Sequence, residues 1–405
     1  MKKIGLAGFG VVGKHVYQQI LSDFSNQFSV EKVAIKSPEK HAEKDIPFTT
    51  NLFDLAYSAD IEIVIEVIGG IQPAFDFIKE CLQYKKHVIT ANKYLIAYHG
   101  EVLRKLADEN GVQLRYEASV GGAIPILETL NSNLKHHKIE KIQGIINGST
   151  NYILSQMAEH KEKTIGEILS KARELGFLET DPSFDMEGWD IQQKLSIIIY
   201  QAFGLTIEPA QIPCFSLMKI SDEDRILTKF GKIKYIASVT KTETGVQALV
   251  LPELVETSHS FFTISNENNA VEIETVYSGK HILSGKGAGG NPTASSVIVD
   301  LIAIETNKSL AALQESIYAI NHSNELVFGQ VYLRLKPESI HIFRKLVAAK
   351  SISAKWISDH QVILKNIKVA DLIELKPNVD IFVKIPANVY ISRHSNPVYL
   401  LTAAV

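Results

Sequence analysis

Cysteine is almost missing from this 405-residue chain. Cys81 and Cys214 are the whole supply, too few for a disulfide framework, so a reducing compartment is expected. No CxxC or HExxH spacing occurs, and the His136–His137 pair reads as solvated side chains rather than metal ligands. No stretch approaches the ~18 consecutive apolar residues of a membrane span. The apolar segment after MKK is short and glycine-rich, which does not suit a signal peptide, and a cytoplasmic location follows. An excess of positive charge is also lacking: 42 Lys and Arg stand against 45 Asp and Glu, a formal net charge of −3. Neither nucleic acid nor a membrane surface is therefore an expected partner. What is present, 45% apolar and 21% charged residues, is ordinary for a globular protein, and the length allows two or three cores.

The first ~130 residues alternate strand and helix patterns. KKIGLAG, VEKVAIK, IEIVIEVIGG and KHVITANK read as strands, separated by the helical VVGKHVYQQILSDF, IQPAFDFIKECLQY and YLIAYHGEVLRKLADENG, the last ending at Gly111. Such alternation implies a parallel, doubly wound α/β sheet. From 131 to 307 the pattern becomes α+β. Helices NYILSQMAEH, IGEILSKARELGF, the 189–203 segment and EDRILTKFGK are followed by strands IKYIASVT, GVQALVLPELV, AVEIETVY and KHILSGK. NPTASSVIVDLIAIETN is a helix opened by Pro292. Residues 308–405 form a third, small piece with a βαββ…β rhythm.

GFGVVG (Gly8, Phe9, Gly10, Val11, Val12, Gly13) stands directly after a strand and opens a helix. Gly8 permits the tight turn, Gly10 lets backbone approach a pyrophosphate, and Gly13 lets helix and strand pack closely. The helix N-terminus then offers unpaired N–H groups to the anion. A dinucleotide-binding Rossmann domain is expected. The second strand ends in VAIKSPEKH, with Lys36, Ser37 and Lys40 where NAD-preferring sites carry an acid. A cation and a hydroxyl suit a 2′-phosphate, so NADP(H) is the expected preference, with NAD(H) also usable; the plain alternative is a solvated strand-end lysine.

ETDPSFDMEGWDIQQKL (179–195) gathers Glu179, Asp181, Asp185, Glu187 and Asp190 ahead of Lys194. Residues i and i+4 share a helix face, so Asp190 and Lys194 point the same way, with Leu195, Ile198 and Ile199 forming a buried stripe beside them. Partial desolvation would lower the lysine's pKa and Asp190 would raise it. The plain reading is a surface ion pair worth ~0.3–0.5 kcal/mol.

The motif set, in order along residues 1–305, resembles homoserine dehydrogenases. It comprises GFGVVG, IEVIGG (65–70), VITANK (88–93), EASVGGAIP (117–125), GIINGSTNYIL (144–154), ELGFLETDPSFDMEGWDIQQKL (174–195) and GKGAGGNPTA (285–294). The resemblance implies reversible NAD(P)H-dependent reduction of L-aspartate 4-semialdehyde to L-homoserine, a step toward threonine, methionine and isoleucine. It implies that Lys194 and Asp190 form the catalytic DxxxK element and that Lys93 is a second catalytic lysine; which lysine is the principal acid/base stays open. It assigns Glu179 and Asp185 to the substrate, and Gly148 and Ser149 suit its carboxylate or reacting oxygen, although the plain reading of NGST is a helix N-cap. Thr90 and Asn92 would shape the turn at the nicotinamide ribose, and Gly287, Ala288 and Gly289 would close over the ring. It further implies a monovalent cation, Na⁺, on the main-chain carbonyls of Glu117, Val120, Gly122 and Ile124, and a homodimer or higher homo-oligomer built through the middle domain's sheet.

The C-terminal piece resembles an ACT regulatory domain in rhythm, but KPES occupies its first turn and residues 330–405 contain no glycine. A degenerate module serving assembly, with or without threonine sensing, is the expectation. Two competing readings are a dehydrogenase for another amino acid and a non-catalytic NADP-binding regulator. ETDP, DxxxK and GAGGNPTA together disfavour the first, and the presence of Lys93, Asp190 and Lys194 disfavours the second.

Overall fold

The computed structural model describes residues 1–40, 46–243, 245–306, 319–320, 327–389 and 391. By compactness the chain divides into two units. The first gathers Met1–His137, Gln193–Pro209 and Leu283–Ser316, and the second Lys138–Gln192, Ala210–Ile282 and Ile317–Val405.

In the first unit six strands, β1 (Lys2–Ala7), β2 (Phe28–Ala34), β3 (Phe48–Thr49), β4 (Ile63–Glu66), β5 (His87–Thr90) and β6 (Leu114–Arg115), lie in the order β3-β2-β1-β4-β5-β6. Every pairing is parallel, so the doubly wound sheet expected from the strand–helix alternation is present. The apolar run at β4 is buried at all four positions, as a strand covered on both faces should be. Helices Val11–Asp23, Ala74–Gln83 and Lys93–Asn110 provide crossovers, and Gly111 ends the last with φ +68°. Helix Gly290–Glu305 contributes Ala294, Val297 and Leu301 to the same core as Ile4, Leu6 and Val16. The strand order reverses between β1 and β4, which leaves a crevice beyond their carboxyl ends.

The second unit is built on a ten-stranded sheet. Its strands are β7 (Ile139–Ile145), β8 (Lys232–Lys241), β9 (Gly245–Val255), β10 (Asn268–Thr275), β11 (Gly279–Lys286, which belongs to this unit as far as Ile282), β12 (Ala319–Ile320), β13 (Val327–Leu335), β14 (Ser353–Trp356), β15 (Gln361–Lys368) and β16 (Val379–Ile385). The order is β11-β10-β7-β8-β9-β16-β13-β15-β14, with β12 on β9. The four strands after residue 326 thus extend the sheet of the middle segment. Parallel pairing of Lys384 with Glu253 makes the join, and the two side chains form an ion pair at 2.8 Å. Phe215 and Leu251 share one core with Val331, Phe343, Leu364 and Leu372. EDRILTKFGK forms a 3₁₀ helix, Asp222–Lys229, where an α-helix was expected. Its fully buried Asp224 accepts hydrogen bonds from Tyr332 Oη at 3.1 Å and Arg334 Nε at 3.0 Å, and these long-range bonds override local helical preference. Among the described residues no helix is long and apolar enough to cross a membrane.

Candidate active site

The glycines of GFGVVG behave as their spacing requires. Gly8 has φ +102°, and a Cβ there would lie 2.9 Å from the Val67 carbonyl oxygen. A Cβ on Gly13 would overlap the Gly8 carbonyl, whereas one on Gly10 would meet nothing within 4 Å. Gly10 is also the N-cap of helix Val11–Asp23, with no side chain bonded to the cap. Gly10 and Val11 are both exposed, so the start of this helix is open, which fits a phosphate-bearing dinucleotide. Gly8 N–H donates to the Ala34 carbonyl at 2.9 Å, tying this turn to the end of β2. Lys36 is exposed two residues beyond that strand and Ser37 is half-buried.

Within the same unit an opening of about 290 Å³ is lined by Val12, Asn92, Lys93, Lys194, Gly287 and Ala288, among others. Lys93 is half-buried and Lys194 is 9% exposed. Asp190, one turn earlier on helix Trp189–Phe203, is 3% exposed. Neither end of the i, i+4 pair is a solvated surface group, so the plain ion-pair reading does not describe it.

Sequence reading missed Glu66. It ends β4 fully buried and accepts the Thr90 hydroxyl and the N–H groups of Ile68 at 2.8 Å and Gly69 at 3.0 Å. Burial pushes its carboxyl pKa up. Thr90 Oγ1 in turn accepts Asn92 N–H at 3.0 Å, and Asn92 Nδ2 donates to the Gly70 carbonyl at 2.6 Å. Glu66, Thr90 and Asn92 thus brace the strand ends at the switch point. Thr90 is wholly buried and shapes the turn from behind, while Asn92 reaches the opening. The available signal was a single acid inside an otherwise apolar strand.

The EASVGGAIP turn packs on the GKGAGG loop. Gly122 (φ +57°) is so close that a Cβ would lie 2.6 Å from both the Gly287 carbonyl carbon and the Lys286 oxygen. Ala123 N–H donates to Lys286 O at 3.2 Å. Of the four carbonyls named for a cation, Gly122 O accepts the Ser296 hydroxyl. Glu117 O accepts Val120 N–H at 3.3 Å, and Ile124 O accepts Ile126 N–H at 2.8 Å. A carbonyl has two lone pairs, so each of these three retains one. Glu117 is buried, with its pKa raised well above the usual range by burial and then by Asp300. Asp300 accepts Glu117 N–H at 2.8 Å and is pushed up to about 7 by burial, with Arg115 pulling the other way. Arg115 lies 3.7 Å from Glu128 and 3.8 Å from Asp300, one guanidinium among three carboxylates. Among the described residues no three His, Cys, Asp or Glu side chains converge as metal ligands.

The second unit holds the acidic stretch, and its five carboxylates do not form one cluster. Asp181 turns back on Ser183, accepting its N–H at 3.0 Å and its hydroxyl at 2.6 Å; the hydroxyl and N–H bonds lower its pKa. Glu179 is exposed. Asp185 and Asp190 converge instead on Asn147, whose Nδ2 donates to Asp185 Oδ1 at 2.7 Å and Asp190 Oδ2 at 2.8 Å. Gly188 (φ +83°) makes the bend between them, with Cys214 Sγ and Tyr235 Oη packed so tightly beneath that no Cβ fits. Asn147, rather than Ser149 or Thr150, is the cap of helix Gly148–Glu159: its Oδ1 accepts Thr150 N–H at 2.9 Å. Gly148 and Ser149 form the first turn, both half-buried.

Two family models match this chain. One described as homoserine dehydrogenase, NAD binding domain, covers residues 8–117, and one described as homoserine dehydrogenase covers 125–302. A homoserine dehydrogenase of Bacillus subtilis is 33% identical over 388 residues, 91% of this chain and 89% of the relative. One of Lactococcus lactis is 36% identical over 319 residues, 74% of this chain and 73% of the relative. Among solved structures, a homoserine dehydrogenase from Thiobacillus denitrificans superimposes with a TM-score of 0.80 at 27% identity, over 95% of this chain and 98% of the other. A hyperthermophilic archaeal homoserine dehydrogenase in complex with NADPH gives 0.66 at 26% identity, over 76% and 98%.

Proposed function

The chain belongs to the homoserine dehydrogenase family, and on that premise we propose how its residues divide the reaction between them. The reaction interconverts L-aspartate 4-semialdehyde and L-homoserine with a nicotinamide cofactor. Nicotinamide, when bound, supplies hydride to C4 of the aldehyde or takes it from C4 of the alcohol. The residues of this chain must then deliver one proton to the oxygen on C4, or remove it, and hold an ammonium and a carboxylate at the other end of the molecule.

The carrying observation is that Lys93 and Lys194 share one opening with Val12, Gly287 and Ala288. Two cations at the mouth of a cofactor crevice suit an oxygen that gains charge as hydride arrives. Lys194 holds the transferable proton, Asp190 sets its charge, and Lys93 assists. Glu179 and Asp185 take the ammonium; Gly148 N–H and the Ser149 hydroxyl take the carboxylate. Lys36 meets the 2′-phosphate, so NADP(H) is preferred over NAD(H). The carbonyls of Glu117, Val120, Gly122 and Ile124 hold Na⁺, which turnover in sodium against choline chloride would check. By function, residues 1–130 serve the cofactor, 131–307 the substrate and assembly, and 308–405 form an accessory module. The assembled form is a homodimer or higher homo-oligomer, readable as mass by sedimentation.

The direct test is L-homoserine-dependent reduction of NADP⁺ and NAD⁺, with Lys194→Ala beside the wild type. Turnover with the lower Michaelis constant for NADP⁺, reduced about 10²–10⁴-fold in the variant, is expected. An inactive wild type that still binds NADP⁺ would defeat the substrate assignment. Near-normal Lys194→Ala turnover would defeat the lysine's role.

A further inference from the structure

Asn147 lies outside every motif role assigned above, yet one amide holds two carboxylates from a segment 38 and 43 residues further along the chain. The direction of that amide is settled by its other end. Oδ1 accepts both the Thr150 N–H at 2.9 Å and the Thr150 hydroxyl at 2.8 Å. An oxygen committed to two donors leaves the NH₂ facing the acids, because the reversed amide would point donors at donors. Each of its two N–H groups then serves one carboxylate. The two acceptor oxygens lie along the two N–H directions of a planar amide, and so are kept roughly 5 Å apart.

That arrangement does three things at once. It places a neutral double donor between two like charges, where a water or hydroxyl could move. It sets the spacing of Asp185 and Asp190, which belong to different elements: Asp185 lies in the short helix Ser183–Met186 and Asp190 in the first turn of Trp189–Phe203. It also registers both acids to the first turn of Gly148–Glu159, because the same side chain caps that helix. Asn147 is 4% exposed, so water does not readily replace the lost donors.

Resting on the functional reading above, we infer that Asn147 is a positioning residue for homoserine: it fixes Asp185, which takes the ammonium, at a set spacing from Asp190, which sets the charge of Lys194. It touches neither hydride nor proton, and its effect falls on the amino-acid substrate rather than the cofactor.

The capping role can be separated from the positioning role, because Asp caps a helix as well as Asn does. Asn147→Asp keeps the acceptor for Thr150, loses both N–H donors and puts a third carboxylate beside two others. Asn147→Ser keeps a cap and one hydroxyl donor, enough for one acid. Kinetics in L-homoserine and in NADP⁺ are measured for the wild type and both variants, with melting temperature alongside. The expected result for Asn147→Asp is a kcat/KM for homoserine lower by roughly 10- to 100-fold, the scale of charged hydrogen bonds lost. The Michaelis constant for NADP⁺ should stay unchanged, and Asn147→Ser should recover part of the loss. Unaltered homoserine kinetics in folded Asn147→Asp would overturn the inference while leaving the family reading intact. Equal losses toward both substrates in Asn147→Ser would also overturn it, since that pattern marks general damage to the fold. A wild type without homoserine-dependent turnover would remove the reading and this inference with it.

Discussion

The cradle at Gly8–Gly13 and the acid pair at Asp185–Asp190 solve a similar problem, the holding of charge, by opposite means. In the cradle main-chain groups do the holding: glycines clear space, and helix Val11–Asp23 starts at the exposed Gly10 with no capping side chain. In the acid pair side chains do it, and a distant amide is the brace. Backbone sites demand a residue type at fixed local spacing, so they can be read from six consecutive letters. Side-chain sites demand only that partners meet in space, and the letters that meet lie far apart.

The strongest way to break this contrast is at Gly13. Gly13→Ala puts a Cβ onto the Gly8 carbonyl, and overpacking of this kind costs about 1–3 kcal/mol. Both melting temperature and cofactor affinity should fall. Gly10→Ala has room within the fold, so it should melt like the wild type and lose only cofactor affinity. Calorimetry and NADPH fluorescence titration separate the two, and equal melting losses would remove the distinction between a packing glycine and an approach glycine. A smaller effect is expected at Lys36, the one side chain assigned to the cradle. Lys36→Ala should raise the Michaelis constant for NADP⁺ by about tenfold, the loss of one exposed charged contact, and leave that for NAD⁺ unchanged. An equal change for both would return Lys36 to a solvated strand end.

The smallest effect concerns the buried acids around Arg115. Asp300, at about 7 in the folded chain, keeps a proton that an unfolded aspartate loses near pH ~4. A carboxyl with a raised folded value costs nothing below its unfolded value. Stability is then lost as pH climbs from about 4 through about 7. Glu117 and Glu66 are shifted the same way, so Asp300→Asn should flatten the fall without abolishing it. Melting temperatures at pH 5 and pH 8 measure the slope. A slope unchanged from the wild type would mean that Asp300 is ionised throughout.

The six-stranded sheet, its glycine turn and the lysine one turn after Asp190 were legible because each follows from local pattern. Strand–helix alternation dictates a parallel sheet, and a period near 3.6 orients Asp190 and Lys194 together. The acid run misled in its apparent unity: Asp181 satisfies itself locally on Ser183, and only Asp185 and Asp190 reach Asn147. Helix Val369–Leu375 escaped because its seven residues offer under two turns of periodicity. Glu66 and Asp300 escaped because burial of a single acid inside an apolar segment leaves no spacing to read. EDRILTKFGK tightened into a 3₁₀ helix because Asp224 is anchored by residues more than a hundred positions away.

The contact of Gly122 with the Gly287 loop has a consequence for inheritance. With Lys286 and Gly287 backbone where a Cβ would sit, the first carbon of any side chain at 122 has nowhere to go. Two segments far apart in the gene are thereby bound to one fate. A lineage can drift freely at Lys286, whose side chain is not part of this contact, but an alanine at 122 could persist only after the 286–288 backbone had already moved. The order in which such changes could accumulate is dictated by a gap one atom wide.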